Sequence, residues 1–234
     1  MSKIRLVISA VAAFGVVTLS ACSNEEEPPP PIKTTSSQEE RQESQKKSRS
    51  KEFSEDDLTK AVTKADLGSA DVGRDVSRGG HDDTLEQPTN DICGKQGDSD
   101  KNRIARIQDH FWVDGQENAS LVVSNEVVAY KPGTGADVLS ELESAVASCD
   151  KWEHDSGEMT RVHIVEPPSG AAGASFAWQG TDVKNGQDFV YTAVYQTNGD
   201  LMSAIYVWAK DGSTMNDVLG DVVPKAADKL ESAL

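Results

Sequence analysis

Residues 187–209, "QDFVYTAVYQTNGDLMSAIYVWA", decide the fold because they combine alternating side chains with a hairpin turn signal. Asn198-Gly199 is a preferred pair for a two-residue type I′ turn between antiparallel strands. That turn would place Tyr191 opposite Tyr206. The segment therefore predicts a β-hairpin whose alternate residues lie on opposite faces of a sheet.

The two faces of this hairpin differ in chemistry. One face carries Phe189, Tyr191, Tyr195, Met202, Tyr206 and Trp208. The other carries Val190, Val194, Ile205 and Val207, an apolar surface suited to packing against helices. Trp178 joins the aromatic face if its "FAW" segment forms the next strand.

An antiparallel sheet with helices on one side often leaves its other face partly open, and aromatic rings there can line a ligand cleft. The candidate ligand-binding residues are therefore Trp178, Tyr191, Tyr206 and Trp208. The alternative is that a helix or loop covers this face, so that the rings form a second core layer.

Residues 53–234 are predicted to form a single α+β domain, an antiparallel sheet with flanking helices. Besides the hairpin, strands are predicted at 103–113, 120–130, 159–166 and 174–182, and helices at 54–64, 136–149 and 214–233. Ser54, followed by three acidic residues, is the predicted cap of the first helix. Pro224 is expected to kink or restart the last helix. The stretch 78–102, rich in Gly, Asp, Asn and Ser, predicts irregular structure.

The N-terminus has the parts of a secretory signal, with a basic start and an apolar run that ends in "LSAC", residues 19–22. "LSAC" resembles the bacterial lipobox. In that family the signal is cut before the cysteine, which carries a thioether-linked diacylglycerol and usually an N-acyl chain such as palmitate. The resemblance implies that residues 1–21 are a signal peptide and that Cys22 anchors the protein to the outer face of the cell membrane. An ordinary cleavable signal with an incidental cysteine is the alternative.

Residues 22–52 contain no aromatic side chain and only Ile32 as a large aliphatic one. Such a segment buries too little apolar surface to offset its ordering entropy, so it is predicted to be a disordered tether. The whole chain has 23 Lys and Arg residues against 39 Asp and Glu residues, a formal net charge of −16. This charge argues against nucleic acid as a partner.

With Cys22 lipidated, Cys93 and Cys149 remain as an even pair in an exported, oxidising compartment. A disulfide between them is predicted, and the chain-entropy model gives it about 4 kcal/mol of stabilisation. Two buried free thiols are the alternative.

Motifs of catalysis and metal binding are absent from the sequence, including G-x-S-x-G and H-E-x-x-H. The four histidines, His81, His110, His154 and His163, are scattered and are predicted to be surface or packed residues. The segment 98–109, "DSDKNRIARIQD", has acidic residues at calcium-loop positions but lacks the glycine that the loop requires. It is predicted to be a solvated acidic loop. No catalytic residue, metal or cofactor is predicted.

The order of elements resembles the extracellular sensor domain of actinobacterial receptor kinases, the PknH-like family, and its lipoprotein relatives. The resemblance rests on "VTKADLG" (62–68), on "VVAYKPGTGADVLSELESAVASCDKW" (127–152), and on the late hairpin with its terminal helix. It covers roughly 53–234. The sensor domain of the kinases carries two disulfides, whereas this chain can form only one, and no kinase domain is present.

The family implies an extracytoplasmic, non-catalytic domain that binds or senses an unknown small-molecule or envelope ligand. A structural or interaction protein of the envelope is one alternative. A hydrolytic enzyme with an unrecognised site is the other.

Overall fold

The computed structural model describes residues 53–113, 120–184 and 186–234. The predicted signal peptide (1–21) and the predicted tether (22–52), with its lipidated Cys22, lie outside the described residues. Among the described residues, none of the helices has the length and apolar character needed to span a membrane.

The described residues form four helices and ten strands. The helices are α1 (Glu55–Ala65), α2 (Ser69–Val72), α3 (Val138–Ala147) and α4 (Gly212–Ser232). The strands are β1 (Val76–Asp82), β2 (Asp91–Ile92), β3 (Lys95–Gln96), β4 (Arg103–Val113), β5 (Leu121–Tyr130), β6 (Trp152–His154), β7 (Gly157–Val165), β8 (Ala174–Lys184), β9 (Gln187–Asn198) and β10 (Leu201–Ala209). Eight of them form one antiparallel sheet in the order β1-β4-β5-β10-β9-β8-β7-β6, and β2 pairs with β3 in a separate ribbon. The predicted fold class, α+β with an antiparallel sheet and flanking helices, is confirmed.

The β9–β10 hairpin forms as predicted, but its turn lies one residue later than expected. Gly199 and Asp200 make the two-residue turn, and of the two only Gly199 has a positive φ, 62°. This combination is typical of a type II′ turn, which favours glycine at its first central position. Tyr191 consequently pairs with Trp208 and not with Tyr206. Because the register moves by two residues, both faces keep their predicted members.

The turn is fixed by a contact from outside the hairpin. The Asp200 carboxylate accepts hydrogen bonds from the backbone N–H groups of Gly133, at 2.9 Å, and Gly135, at 2.8 Å. A Cβ atom at Gly135 would lie 2.7 Å from the Asp200 Cα, so this close approach requires glycine. The alternation within the hairpin carries no information about this partner, which explains the one-residue error.

One face of the sheet packs against α1, α2 and α4. Ser54 caps α1 as predicted, because its hydroxyl accepts a hydrogen bond from the Asp57 backbone N–H at 3.2 Å. Of the two effects expected of Pro224, a kink or a restart of the last helix, the restart does not occur, because α4 continues through the proline. Val223 and Ala226, on either side of the proline, are both buried in the core against the sheet. This packing holds the two halves in one helix despite the hydrogen bond that proline cannot make.

The opposite, aromatic face is covered in part by α3 and by β2. Leu142 and Val146 of α3 and Ile92 of β2 belong to the same buried cluster as Phe176 and Tyr195 of the sheet. The sheet therefore carries helices on both faces, and only a part of the aromatic face is left open.

The stretch 78–102 is more ordered than its composition predicted, because most of β1 lies within it. Strand β1 forms the edge of the sheet beside β4. Arg78 and His81 of β1 contact the fully buried Asp109 carboxylate of β4, at 2.7 Å and 2.6 Å. These ion-pair contacts give a polar, glycine-rich segment a fixed position that its local pattern does not predict.

The segment 98–109 is not the predicted solvated loop. Asp98 is exposed, but Asp100 is buried beside Arg103, and β4 begins at Arg103. Asp109 lies inside the core. In the ranges that the structure describes, no group of three or more His, Cys, Asp or Glu side chains could hold a metal ion.

Cys93 and Cys149 are joined in a disulfide, as predicted, with their Cα atoms 6.2 Å apart. Cys93 lies in the turn between β2 and β3, and Cys149 follows α3. The disulfide thus joins the two elements that cover the aromatic face.

Candidate functional site

A cleft of about 340 Å³ lies on the aromatic face, between the sheet and the segment 87–92. The four candidate ligand-binding residues all line it: Trp178, Tyr191, Tyr206 and Trp208. The volume is within the range of small-molecule sites, roughly 300–1,000 Å³. The structure therefore brings the predicted residues to one cavity of ligand size.

The rings of the cleft hold one another in place around Tyr191. Its ring centroid is 4.8 Å from that of Trp178, 4.9 Å from that of Trp208 and 6.5 Å from that of Tyr206. These separations are typical of favourable aromatic pairs. Trp178, Tyr191 and Tyr206 are buried, whereas Trp208 is half-buried. Of these four rings, Trp208 is therefore the one that is not buried in the core.

The segment 87–92 forms one wall of the cleft and is fixed at both ends. Arg103 donates a hydrogen bond from Nη1 to the Gln87 carbonyl oxygen at 2.6 Å. The disulfide at Cys93 ties the other end to Cys149, after α3. The wall is therefore preorganised before any ligand binds.

A buried charged network lies at one end of the cleft. The Glu126 side chain is 2% exposed and accepts hydrogen bonds from Arg106 Nε at 2.5 Å, Thr89 Oγ1 at 2.7 Å and the Tyr206 hydroxyl at 2.7 Å. Burial and the adjacent Glu126 carboxylate raise the pKa of Tyr206 well above its usual value, which keeps its hydroxyl protonated as a donor.

Arg106 stays charged in this network although it is buried. Burial disfavours its charged form, but the Glu126 and Asp82 carboxylates beside it raise the pKa of Arg106 above its ordinary value. Its Nη1 lies 2.6 Å from Asp82 Oδ2, so the guanidinium contacts two carboxylates. The positive charge of Arg106 is thus neutralised within the protein.

A second polar cluster surrounds the buried Asp182 carboxylate at the other end. Asp182 Oδ2 accepts a hydrogen bond from Trp208 Nε1 at 2.7 Å and lies 3.0 Å from Lys184 Nζ. Asp182 Oδ1 lies 3.1 Å from His154 Nε2. Lys184 Nζ also stands 4.9 Å from the Trp208 ring centroid, within cation–π range.

Ser156, His154 and Asp182 form a hydrogen-bonded row with the residue types of a hydrolytic triad. The Ser156 hydroxyl lies 3.1 Å from His154 Nδ1. Ser156 is, however, in the exposed turn between β6 and β7 and does not line the cleft. Asp182 is also shared with Trp208 and Lys184. The hydrogen bonds to Ser156 and Asp182 therefore orient His154, which forms part of the cleft wall. Ser156 itself does not reach the cleft, so it is not placed to attack a ligand there.

The sequence does not single out the charged and titratable residues that line the cleft: Asp91, Arg106, Glu126, His154, Asp182 and Lys184. Glu126 carried a usable signal, since it interrupts the apolar strand sequence "LVVSNEVVAY" at a position that faces the aromatic side. The others come from strands that only the tertiary fold brings together. Of the four histidines, His154 lies in the cleft, whereas His81 contacts Asp109, a residue of β4 that does not line the cleft.

These features define the class of the domain as a broad antiparallel sheet with helices on both faces and an aromatic cleft. No protein-family model and no curated protein matches the chain. Among solved structures, the crystal structure of the extracellular domain of PknH from Mycobacterium tuberculosis matches with a TM-score of 0.57 and 11% identity. The match covers 78% of this chain and 98% of that chain. The chain therefore shares the fold of that extracellular domain.

Proposed function

We propose that this protein is a membrane-anchored extracytoplasmic module that binds or senses a small ligand in the aromatic cleft without catalysing a reaction. The cleft carries the proposal, because it combines ligand-sized volume with rings and hydrogen-bonding groups that are held in place before binding. The shared fold with an extracellular domain supports the location. The lipobox-like "LSAC" at residues 19–22 supports the anchor.

The alternative of a structural or interaction protein has less support from the surface of the domain. Such a protein needs an extended apolar contact area. Within the described residues, the large apolar side chains that are exposed are Leu85 (42%) and Ile164 (46%). Single exposed apolar side chains are common on protein surfaces and do not by themselves indicate a contact area. The cleft is the more specific feature.

The first prediction tests the cleft. Full-length protein isolated from its own host membranes should carry a small molecule that native mass spectrometry detects. Trp208→Ala should lose most of it, because this half-buried ring lines the cleft and remains accessible to a ligand. The matched control is Trp112→Ala, a half-buried tryptophan of β4 outside the cleft, which should retain the molecule. Equal retention by both variants would show that the cleft is not the binding site.

The second prediction tests the anchor. Metabolic labelling with a radioactive fatty acid should label the wild-type protein, whereas Cys22→Ala should remain unlabelled and should leave the membrane fraction. The physical reason is that two or more long acyl chains hold a protein stably on a bilayer, each buried CH₂ contributing about 0.8 kcal/mol. Cys93→Ala serves as the control for loss of a cysteine elsewhere. Labelling that persists in the Cys22 variant contradicts the lipoprotein assignment.

A further inference from the structure

We propose that the ligand of the cleft is a small organic ammonium ion, bound between the Asp182 carboxylate and the indole face of Trp208. This inference rests on the proposed ligand-binding function and names the chemical class of its ligand. Two independent observations support it: an internal ammonium at this position and the distribution of charge in the cleft.

An ammonium group of the protein already occupies the proposed position. Lys184 Nζ lies 3.0 Å from Asp182 Oδ2 and 4.9 Å from the Trp208 ring centroid. Both distances are those of a favourable cation site, since cation–π attraction acts within about 6 Å of the centroid. The Lys184 side chain is 35% exposed and sits on a flexible stem. Asp182, in contrast, is 3% exposed, so its carboxylate requires a cationic partner. An ammonium ligand would supply that partner while the Lys184 amine moves into water, so the exchange leaves no buried charge unpaired.

The Asp182 carboxylate has capacity for a further cationic contact. A carboxylate offers about four acceptor positions. Trp208 and Lys184 use Oδ2, and His154 lies against Oδ1. The Trp208 N–H bond to the carboxylate also orients the indole ring, so that the negative charge and the ring face are presented together. A cation at this position therefore meets both attractions at once.

The charge distribution of the cleft disfavours an anionic ligand. Arg106 and Lys184 are the two basic side chains lining the cleft apart from His154. Arg106 is held by Glu126 and Asp82 and donates to Gln108 as well, so an anion would have to break a buried ion pair to reach it. The formal net charge of the chain, −16, also raises the local concentration of cations near the protein.

The Trp208 ring is held in place by a neighbouring ring. Its plane lies at 60° to that of Tyr191 and the two centroids are 4.9 Å apart, so the rings pack directly against each other. Aromatic ring faces are a recurrent feature of sites that recognise quaternary ammonium groups. Tyr191 therefore fixes the ring face that the proposed cation meets.

Isothermal titration calorimetry of the full-length protein tests the inference with choline and with 3,3-dimethyl-1-butanol, its neutral analogue of the same shape. We expect choline to bind and the neutral alcohol not to bind measurably. Lys184→Met, which removes the competing ammonium and keeps the side-chain length, should bind choline roughly two- to fivefold more tightly. Trp208→Leu should weaken choline binding by about tenfold or more. Lys210→Met, at an exposed lysine outside the cleft, should match the wild type.

Asp182→Asn provides a second variant that removes the charge while keeping the shape, in case Trp208→Leu does not fold by circular dichroism. It should also weaken choline binding by about tenfold. If the neutral alcohol binds as tightly as choline, the ammonium inference is wrong and the cleft function stands. Absence of choline binding by both the wild type and Lys184→Met also overturns the inference. The proposed function is then judged separately, by the molecule that co-purifies with the wild type and not with Trp208→Ala.

Discussion

Replacing Glu126 with leucine is expected to lower the free energy of unfolding by about 3–5 kcal/mol. The substitution leaves the Arg106 guanidinium, whose side chain is 1% exposed, without its nearest carboxylate. It also removes the acceptor of the Tyr206 and Thr89 hydroxyl groups. Because domains are commonly stable by only about 5–15 kcal/mol, this loss should be evident as a large shift in the urea unfolding midpoint.

A double variant separates the cost of an unpaired charge from the cost of altered packing. Arg106→Met combined with Glu126→Leu should be more stable than Glu126→Leu alone, because no buried charge is left without a partner. Asp98→Asn is the matched control, since it breaks an exposed ion pair with Lys101 and should leave the unfolding midpoint unchanged. If the changes in the free energy of unfolding caused by Arg106→Met and by Glu126→Leu simply add in the double variant, the proposed interaction between Arg106 and Glu126 is contradicted.

A second large effect is expected from pH, and it originates at Asp66, the residue after α1. Burial and then the neighbouring Asp109 carboxylate, with which Asp66 shares a hydrogen bond, raise the pKa of Asp66 from 3.8 to about 7. A hydrogen bond between two carboxyl groups requires a proton on one of them. Asp109 also contacts Arg78 and His81, so Asp66 is the group that carries the proton.

The contribution of Asp66 to the stability of the protein is therefore expected to fall as the pH rises from about 4 to about 7. In this window the folded state keeps a proton on Asp66 that the unfolded state has released, and Asp66 alone contributes a slope of up to about 1.4 kcal/mol per pH unit. Its contribution is complete below pH 3.8, where both states are protonated, and is lost above about pH 7.

Urea unfolding of wild type and Asp66→Asn between pH 5 and pH 8 measures this effect. The asparagine amide can donate to Asp109 at every pH, so the variant should lack the contribution of Asp66 to the slope. Asp56→Asn, at an exposed position in the first turn of the same helix, should retain it. An identical pH dependence in all three proteins would exclude Asp66 as its source.

Most secondary structure could be predicted from the sequence because it depends on local patterns. Strand β4 is predicted at 103–113 and observed at Arg103–Val113. The cap at Ser54 is likewise local. The hairpin turn was predicted one residue early because Asp200 is held by backbone groups 65 and 67 residues away in the chain. A local sequence pattern does not predict contacts between residues so far apart in the chain.

The candidate site could be predicted only in part, for the same reason. Trp178, Tyr191, Tyr206 and Trp208 were assigned to one face because alternation along a strand is a property of the backbone. The charged residues that pair within the cleft lie on β4, β5, β6 and β8, and their pairing depends on the order of strands in the sheet. That order is set by packing across the whole domain.

Composition and local periodicity thus establish an α+β domain, its hairpin, the aromatic face and the pairing of Cys93 with Cys149. The hairpin turn and the alternation along a strand depend on neighbouring residues only. The pairing of Cys93 with Cys149 follows from the number of cysteines and needs no geometry. Whether the aromatic face is core or cleft depends on how far α3 and the segment 87–92 extend over it. Burial of Glu126 with Arg106 likewise depends on the long-range approach of separate strands, because a charge enters the interior only where its partner is already in place.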